Sequence, residues 1–283
     1  MGLARVTLDS IVKLDYSLVE RELVEFLKGV LEESGAKGFV VGLSGGVDSA
    51  TSFYLALKAV GRDRVHVLVM PDSTVTKKED EEDALSLARQ AGVRVHRIDI
   101  APIVDVFKGA IPVYGGDEED RVPLGNLRAR IRMCLLYYYA NKLDYLVLGT
   151  TDRSEWLIGY FTKYGDGAVD VEPIIILYKS QVRRLASHLG VPERVAYKPS
   201  SPGLWPGHMA EAELGVSYDE VDLVLHSIFD LGLKPEEVPE ATGVSRKVVD
   251  RVLELYRVNE HKRKPPHSPS LDVVKRAGLE VRV

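Results

Sequence analysis

The sequence predicts an α/β protein with a doubly wound parallel sheet, in which helices cover both faces. Four short apolar runs alternate with longer segments whose apolar residues recur at every third or fourth position. This alternation is typical of parallel strands joined by crossover helices. A glycine-rich turn also follows the first apolar run directly, at residues 42–50. Turns at that place in α/β proteins commonly lie at the ligand-binding edge of the sheet.

The elements of the predicted sheet occupy the first half of the chain. Gly35 is expected to end the first helix and Gly92 the third, because glycine adopts the left-handed backbone that terminates a helix. The segment 101–124 shows no clear periodicity and is predicted to be irregular. The predicted strands are 38–43, 64–71, 93–100 and 144–150, and the predicted helices are 15–34, about 47–58, 77–92 and 124–142.

The second half of the chain has longer polar segments between its predicted elements. Two polar segments rich in glycine, 159–167 and 198–215, interrupt the predicted elements. Long loops inside a compact domain are usually either functional or disordered. Three further helices are predicted, at 179–190, 217–232 and 245–264.

The chain, 1–283, is interpreted as a single domain. An α/β core is expected at about 20–200 and a C-terminal helical part at about 213–266. The segment 235–255 has the pattern of a helix-turn-helix, with Gly243 in the turn. Its first part is acidic and contains Pro239, which favours a packing helix or a dimer surface over DNA binding.

The composition narrows the class of protein. The formal net charge of −5 argues against a general nucleic-acid binder, which needs excess Lys and Arg to contact phosphates. No run approaches the roughly 20 apolar residues of a membrane helix, and the first residues lack the pattern of a signal peptide. The one cysteine, Cys134, lies among apolar residues, so a buried free thiol is expected. A cytoplasmic protein that binds neither membrane nor nucleic acid is therefore predicted.

The turn GLSGGVDSA, residues 42–50, has the composition of a phosphate-binding loop. Its glycines allow backbone N–H groups to approach an anion closely, at the N-terminus of the following helix. It lacks the lysine of the common loop G-x-x-x-x-G-K-[ST]. Asp48 would repel phosphate oxygens unless a divalent cation bridges them, so this carboxylate predicts Mg²⁺.

The string SGGVDS resembles the signature of the ATP pyrophosphatase superfamily. The resemblance implies a Rossmann-like fold of the adenine-nucleotide α-hydrolase type, with ATP as co-substrate. It also implies that the loop binds the β and γ phosphates, which leave as pyrophosphate when the second substrate is adenylated. A nitrogen or sulfur nucleophile then displaces AMP.

The second half of the chain is similar to one branch of that superfamily, the ammonia-dependent NAD synthetases. The similarity is carried by 149–192, which contains GYFTKYGDG, and by GNLRARIRM, KPSSPGLWPG, ELGVSYDEVD and HKRKPP in the same order. It implies that ATP adenylates deamido-NAD and that ammonia then replaces AMP to give NAD. It further implies Mg²⁺ and a homodimer whose deamido-NAD site lies between subunits.

Two alternatives remain open from the sequence. One is a related adenylating enzyme that acts on tRNA or on a different carboxylate. The other is a non-catalytic regulator that binds a nucleotide or DNA. The first differs from an NAD synthetase in whether deamido-NAD alone triggers pyrophosphate release. The second is tested by the salt dependence of any DNA binding, and the excess of acidic residues argues against it.

Site residues are implied by the same resemblance, position by position. Asp48, Glu155 and Lys179 are expected to be catalytic, with Asp48 and Glu155 as Mg²⁺ ligands and Lys179 on the phosphates. The expected deamido-NAD contacts are Arg130, Tyr160, Lys163, Asp166, Asp170 and Glu211. The expected ATP contacts are Leu43, Ser44, Gly45, Gly46, Val47, Asp48, Ser49, Met70, Thr150, Lys179 and Ser201.

The sequence departs from the family pattern just before ELGVSYDEVD. The family usually has G-Q-T-D-E there, whereas this chain has GHMAE, residues 207–211. Ala210 stands where an aspartate is expected, so an acidic pair is reduced to Glu211. Two interpretations of His208 follow: it supplies a polar group or a base in this site, or it is a loop histidine that faces solvent.

Overall fold

The computed structural model describes residues 5–278. Within that range, the strands that form the sheet are β1 (Gly38–Gly42), β2 (Val65–Val69), β3 (Arg94–Arg97) and β4 (Tyr145–Leu148). They are parallel and lie in the order β3-β2-β1-β4. Phe39 pairs with Val65 on one side and with Leu146 on the other. The prediction of a parallel sheet from four apolar runs is confirmed.

Helices flank the sheet and continue beyond it. A π-helical turn, His226–Asp230, extends one of the C-terminal helices. In chain order, the α-helices of the described range are α1 (Leu8–Ile11), α2 (Tyr16–Ser34), α3 (Val47–Val60), α4 (Lys78–Ala91), α5 (Ala101–Ala110), α6 (Arg121–Leu143), α7 (Arg153–Ile158), α8 (Lys179–Leu189), α9 (Glu193–Ala196), α10 (Ala210–Leu214), α11 (Tyr218–Leu225), α12 (Val238–Thr242), α13 (Arg246–Val258) and α14 (Asp272–Arg276).

The central strand β1 separates two apolar cores because its side chains alternate between the faces of the sheet. Phe39 and Val41 pack on one face with residues such as Phe53 of α3. Val40 packs on the other face with Ile131 of α6. All three β1 residues are fully buried, which is expected for a central strand of a parallel sheet. The doubly wound arrangement predicted from the sequence is confirmed.

A third core holds the C-terminal helices against the α/β part. Tyr218 of α11 packs in it with Ile158 of α7. Asp222 of α11, also buried, accepts hydrogen bonds from the Ser154 hydroxyl in α7 and from the backbone N–H of Ser180 in α8. The C-terminal helices are therefore joined to the core at the two helices that follow β4.

The prediction of an irregular segment at 101–124 is wrong for most of its length. Helix α5 begins at Ala101, and α6 begins at Arg121 rather than at 124. Pro102 lies in the first turn of α5, where the missing proline N–H is not needed. Only Ala101 and Val104 of α5 are buried, so the helix presents too short an apolar repeat to show a clear periodicity.

Predictions for single residues had mixed outcomes. Gly35 and Gly92 end their helices with a positive φ, as expected. Cys134 is exposed rather than buried, because it shares a face of α6 with the exposed residues Arg130 and Tyr138, four positions away on either side. The last long helix ends at Val258 rather than at 264, and a short 3-10 turn follows it. No helix of the described chain is long and apolar enough to cross a membrane.

Candidate active site

A cavity of about 440 Å³ opens at the carboxyl edge of the sheet. The residues that follow three of the strands form its floor, among them Ser44 after β1, Met70 after β2 and Thr150 after β4. The segment 198–205 closes another side. This is the edge at which open α/β sheets bind their ligands.

The glycine-rich loop forms one wall and is held by its own serines. Ser49 Oγ lies 3.0 Å from Ser44 Oγ and donates to the carbonyl of Gly46 at 3.1 Å. Gly45 has a φ of 80°, and a Cβ at this residue would lie 2.1 Å from the carbonyl oxygen of Asp80. Both features require glycine. Because Gly45 has no side chain, the loop packs directly against the first turn of α4.

Lys179, the first residue of α8, is fully buried among carboxylates. Its Nζ lies 2.7 Å from Asp48 Oδ2 in α3 and 2.8 Å from Glu155 Oε1 in α7. It also lies 3.0 Å from Asp152 Oδ2, at the N-cap of α7. The three predicted catalytic side chains are therefore in contact, although 131 residues separate Lys179 from Asp48.

Charge is not balanced within this cluster. Burial would lower the pKa of Lys179, but Asp152, Asp48 and Glu155 raise it well above its usual range, so the lysine is charged. Burial raises the pKa of Glu155 well above its usual range in spite of Lys179. Burial likewise raises the pKa of Asp152 to about 7. One ammonium group does not compensate these carboxylates, and the cluster favours a further cation.

The carboxylates that face the cavity fit a hydrated divalent cation. Asp48 and Glu155 line the cavity, whereas Asp152 lies outside its described lining. Asp48 Oδ1 is buried and has no hydrogen-bond partner within residues 5–278. In that same range no group of three or more His, Cys, Asp and Glu side chains is arranged to hold a metal ion. Mg²⁺ often binds through one or two carboxylates and completes its shell with water and substrate phosphates.

Another part of the cavity wall contains a histidine, a glutamate and a tyrosine in contact. His208 is 3% exposed, and its ring stacks on Trp205 with 3.4 Å between centroids. His208 Nε2 lies 2.7 Å from Glu213 Oε2 and 3.2 Å from the Tyr160 hydroxyl. That hydroxyl donates to Glu213 Oε2 at 2.7 Å. The interpretation of His208 as a solvent-facing residue is wrong.

A family model described as NAD synthase matches residues 19–266. The chain belongs to the NAD synthase family. The resemblance that the motifs indicated is thereby confirmed, and it extends over the sheet, the cavity and the C-terminal helices.

Relatives of high identity belong to the same family. The NH(3)-dependent NAD(+) synthetase of Aeropyrum pernix is 58% identical over 272 residues, which cover 96% of this chain and 95% of that protein. The NH(3)-dependent NAD(+) synthetase of Hyperthermus butylicus is 60% identical over 265 residues, which cover 94% of this chain and 95% of that protein.

Two solved structures have the same fold as this chain. The NMN synthetase of Francisella tularensis aligns with a TM-score of 0.80 at 35% identity, over 92% of this chain and all of that one. The NH3-dependent NAD synthetase of Campylobacter jejuni, in complex with the nitrate ion, aligns with a TM-score of 0.76 at 30% identity, over 91% of this chain and all of that one.

Most residues predicted to bind ATP lie around the cavity of this family member. Gly45 and Lys179 are outside its described lining: Gly45 contacts α4, and Lys179 lies behind Asp48 and Glu155. The predicted ATP contacts that line the cavity are Leu43, Ser44, Gly46, Val47, Asp48, Ser49, Met70, Thr150 and Ser201.

The residues predicted to bind deamido-NAD are more dispersed. Tyr160 and Asp166 line the cavity. Arg130 donates to the carbonyl of Lys163, and the Lys163 ammonium donates to the carbonyl of His261. These two basic side chains lie outside the described lining.

Two predicted acidic contacts also lie outside that lining and have structural partners. Asp170 accepts hydrogen bonds from the Tyr137 hydroxyl and from the backbone N–H of Val147 in β4. Glu211 accepts from the backbone N–H of Tyr218. The acidic side chain of α10 that lines the cavity is Glu213, two residues further on.

Several residues in or behind the cavity wall were not expected from the sequence. Asp152 supports Lys179 from behind, and its signal was the helix-capping pattern D-x-x-E that ends at Glu155. The Tyr218 hydroxyl donates to Glu155 Oε1 at 3.2 Å. Glu213 and Lys262 come from the C-terminal part. They stand in the strings ELGVSYDEVD and HKRKPP, which carry the resemblance, but no role was assigned to either residue.

Proposed function

We propose that this chain forms NAD by the ATP-dependent amidation of deamido-NAD with ammonia. The observation that carries the proposal is the contact of Lys179 with Asp48 and Glu155 beside the glycine-rich loop, in a chain of the NAD synthase family. Family relatives at 58% and 60% identity are named NH(3)-dependent NAD(+) synthetases. Together these support adenylation at the cavity, followed by displacement of AMP by ammonia.

The chain's own residues supply the adenylation chemistry. The N-terminus of α3 and the hydroxyls of Ser44 and Ser49 would bind the polyphosphate. A carboxylate oxygen of deamido-NAD attacks the α-phosphorus, and the bond to the β-phosphate breaks as pyrophosphate leaves. Asp48 and Glu155 would hold Mg²⁺, which supplies positive charge to the departing pyrophosphate. Lys179 would hold both carboxylates in position from behind the cavity wall.

A product assay tests this function. With ATP, Mg²⁺, deamido-NAD and ammonium, we expect equimolar NAD, AMP and pyrophosphate, and none of them when Mg²⁺ is removed with EDTA. Release of ADP and phosphate would contradict the proposal. Pyrophosphate release with tRNA but not with deamido-NAD would instead support the related adenylating enzyme.

A second nucleotide serves as the control substrate. Nicotinic acid mononucleotide is the acid that corresponds to NMN, and one structural neighbour is named an NMN synthetase. We expect a higher kcat/KM for deamido-NAD than for this mononucleotide. The reverse order would reassign the substrate while leaving the adenylation chemistry intact.

We also propose that the enzyme is a cytoplasmic homodimer. Helix α5 carries the exposed apolar side chains of Val106 and Phe107, and α6 that of Tyr138, with exposed fractions of 72%, 43% and 63%. Arg130, a predicted deamido-NAD contact, is exposed on α6 as well. The free thiol of Cys134, also on α6, suits a reducing compartment.

Sedimentation velocity tests the proposed dimer. We expect the wild-type chain to sediment as a dimer and Phe107→Glu to sediment as a monomer, because the substitution places a charge in an apolar contact. Val258→Glu is the matched control, since Val258 is an exposed apolar residue of α13. A monomeric wild type, or a dimer unaffected by Phe107→Glu, would contradict the proposed surface.

A further inference from the structure

His208 has a ring nitrogen that no contact explains. Its Nδ1 is buried and lacks a hydrogen-bond partner in the part of the chain that the structure describes. The rest of the ring is held firmly: one face stacks on Trp205, and Nε2 contacts Glu213 and Tyr160. His208 lines the cavity. A buried polar atom without a partner beside a ligand cavity is commonly a functional atom.

The contacts of Nε2 determine where the ring carries its proton. The hydrogen bond from His208 holds the pKa of Glu213 below its usual range, and the Tyr160 hydroxyl and the Lys262 charge act in the same direction against burial. Glu213 is therefore an ionised carboxylate, which only accepts hydrogen bonds. Nε2 must then donate, so the neutral imidazole has its lone pair on Nδ1.

The proposed reaction needs a proton acceptor at its second step. At neutral pH most dissolved ammonia is ammonium, whose nitrogen has no lone pair and cannot attack a carbon. Conversion of ammonium into an amide nitrogen removes two protons in all. A group that takes the first of them inside the cavity creates the nucleophile where it is used.

We propose that His208 is the catalytic base that takes the first proton from ammonium, through Nδ1. The role rests on the proposed amidation. One N–H bond of ammonium breaks, its electron pair stays on nitrogen and the proton moves to Nδ1. The nitrogen then attacks the acyl carbon, the bond from that carbon to the AMP oxygen breaks, and AMP leaves with the electron pair. The second proton is lost from the new amide nitrogen to solvent.

Glu213 and Tyr160 are positioning residues in this scheme. Glu213 holds the proton of the neutral ring on Nε2, which leaves the lone pair on Nδ1, and it stabilises the imidazolium afterwards, as the carboxylate does in other His–carboxylate pairs. Two cations also face the group from neighbouring elements. Lys262 lies near Glu213, and the Arg121 guanidinium lies 5.3 Å from the Trp205 ring. Both cations repel the positive charge that His208 gains when Nδ1 takes the proton. This repulsion favours transfer of that proton to solvent.

The decisive comparison uses His208→Gln with two nucleophiles. Gln keeps a polar side chain of similar reach but cannot take the proton. We expect kcat/KM for ammonium to fall about a hundredfold at neutral pH, with recovery at alkaline pH as free ammonia becomes abundant. Hydroxylamine is mostly uncharged at neutral pH, so we expect its rate to change little. ATP–pyrophosphate exchange supported by deamido-NAD should also be retained, because it precedes the step.

His188→Gln is the matched control, since His188 pairs with Glu20 at 3.1 Å outside the described lining of the cavity. It should leave both nucleophiles and the exchange reaction unaltered. Two results for His208→Gln would overturn the proposal: an unchanged rate with ammonium, or an equal loss with ammonium, hydroxylamine and exchange. Absence of deamido-NAD-dependent exchange in the wild type would instead refute the proposed function.

Discussion

Lys179 is a single residue on which three helices depend. It lies at the start of α8, yet its ammonium group contacts carboxylates at the starts of α3 and α7. Without it, Asp48, Asp152 and Glu155 would face one another in a buried site. An unpaired buried charge costs far more than a lost surface ion pair, so we expect replacement of this lysine to affect both the fold and the proposed chemistry.

Replacement of this lysine should destabilise the protein as well as inactivate it. For Lys179→Met we expect the free energy of unfolding to fall by about 3–5 kcal/mol and NAD formation to be lost. Added Mg²⁺ should restore part of the stability, because a divalent cation can neutralise Asp48 and Glu155. Chemical denaturation with and without Mg²⁺ measures both effects.

Lys58→Met provides the comparison for that measurement. Lys58 pairs with Glu20 at 2.8 Å on the surface, and exposed pairs of this kind contribute about 0–1 kcal/mol. Equal stability losses in the two variants would show that burial of Lys179 among carboxylates has no special cost.

Residues of the site could be predicted from the sequence where one local motif contains them. Ser44 and Asp48 stand in a string that specifies both the turn and its charge. The burial of His208 could not be predicted, because it depends on Trp205 stacking on one side and Tyr160 approaching from 48 residues away. Contacts between loops that are far apart in the chain produce no periodic pattern of apolar residues, so the sequence does not predict the burial that they cause.

Among the elements, α11 connects the two parts of the chain. Its Asp222 is fully buried and accepts from Ser154 in α7 and Ser180 in α8. Burial raises the pKa of this carboxyl to about 6, although both serines act in the opposite direction. We therefore propose that the α/β core and the C-terminal helices fold as one domain.

Asp222→Asn tests that connection. The Asn side chain has one carbonyl oxygen in place of two carboxylate oxygens, so one buried donor, the Ser154 hydroxyl or the Ser180 N–H, loses its partner. We expect the free energy of unfolding to fall by about 1–3 kcal/mol, still in a single transition. Two separate transitions, followed by circular dichroism and by tryptophan fluorescence, would contradict the one-domain proposal.

Helices could be predicted where a long apolar repeat is followed by a glycine that ends the helix. Helix α2 ends at Gly35 and α4 at Gly92, and both were placed correctly. Helix α5 was missed because a proline opens it and two of its residues are buried. Short helices of this kind form because the sheet offers them an apolar surface, which the sequence of the helix does not reveal.

At the scale of the whole molecule, stability should depend on pH through His66. This residue is 4% exposed in β2 and stacks on His96 with 4.9 Å between centroids. Burial, with His96 and Arg94, lowers the pKa of His66 from 6.5 to about 4. Between these values the unfolded chain binds more protons than the folded one, so acidification through this range lowers the free energy of unfolding.

His66→Phe should reduce this dependence, because the ring is kept and the protonation site is removed. Denaturation midpoints at several pH values between about 4 and 7 measure the slope. His267→Phe, at an exposed residue, should leave the wild-type slope unchanged. Identical slopes in all three proteins would assign the acid sensitivity to other groups.

The N-terminal half of α4 contacts two walls of the cavity. The carbonyl of Asp80 contacts Gly45 of the glycine-rich loop, while the carboxylates of Asp80 and Asp83 bind Lys198 at the start of the segment 198–205. The first attachment is steric and the second is ionic. Dissolved salt acts only on the second, and weakly because Lys198 and Asp83 are largely buried, so high ionic strength would loosen the segment 198–205 before it altered the loop that receives the phosphates.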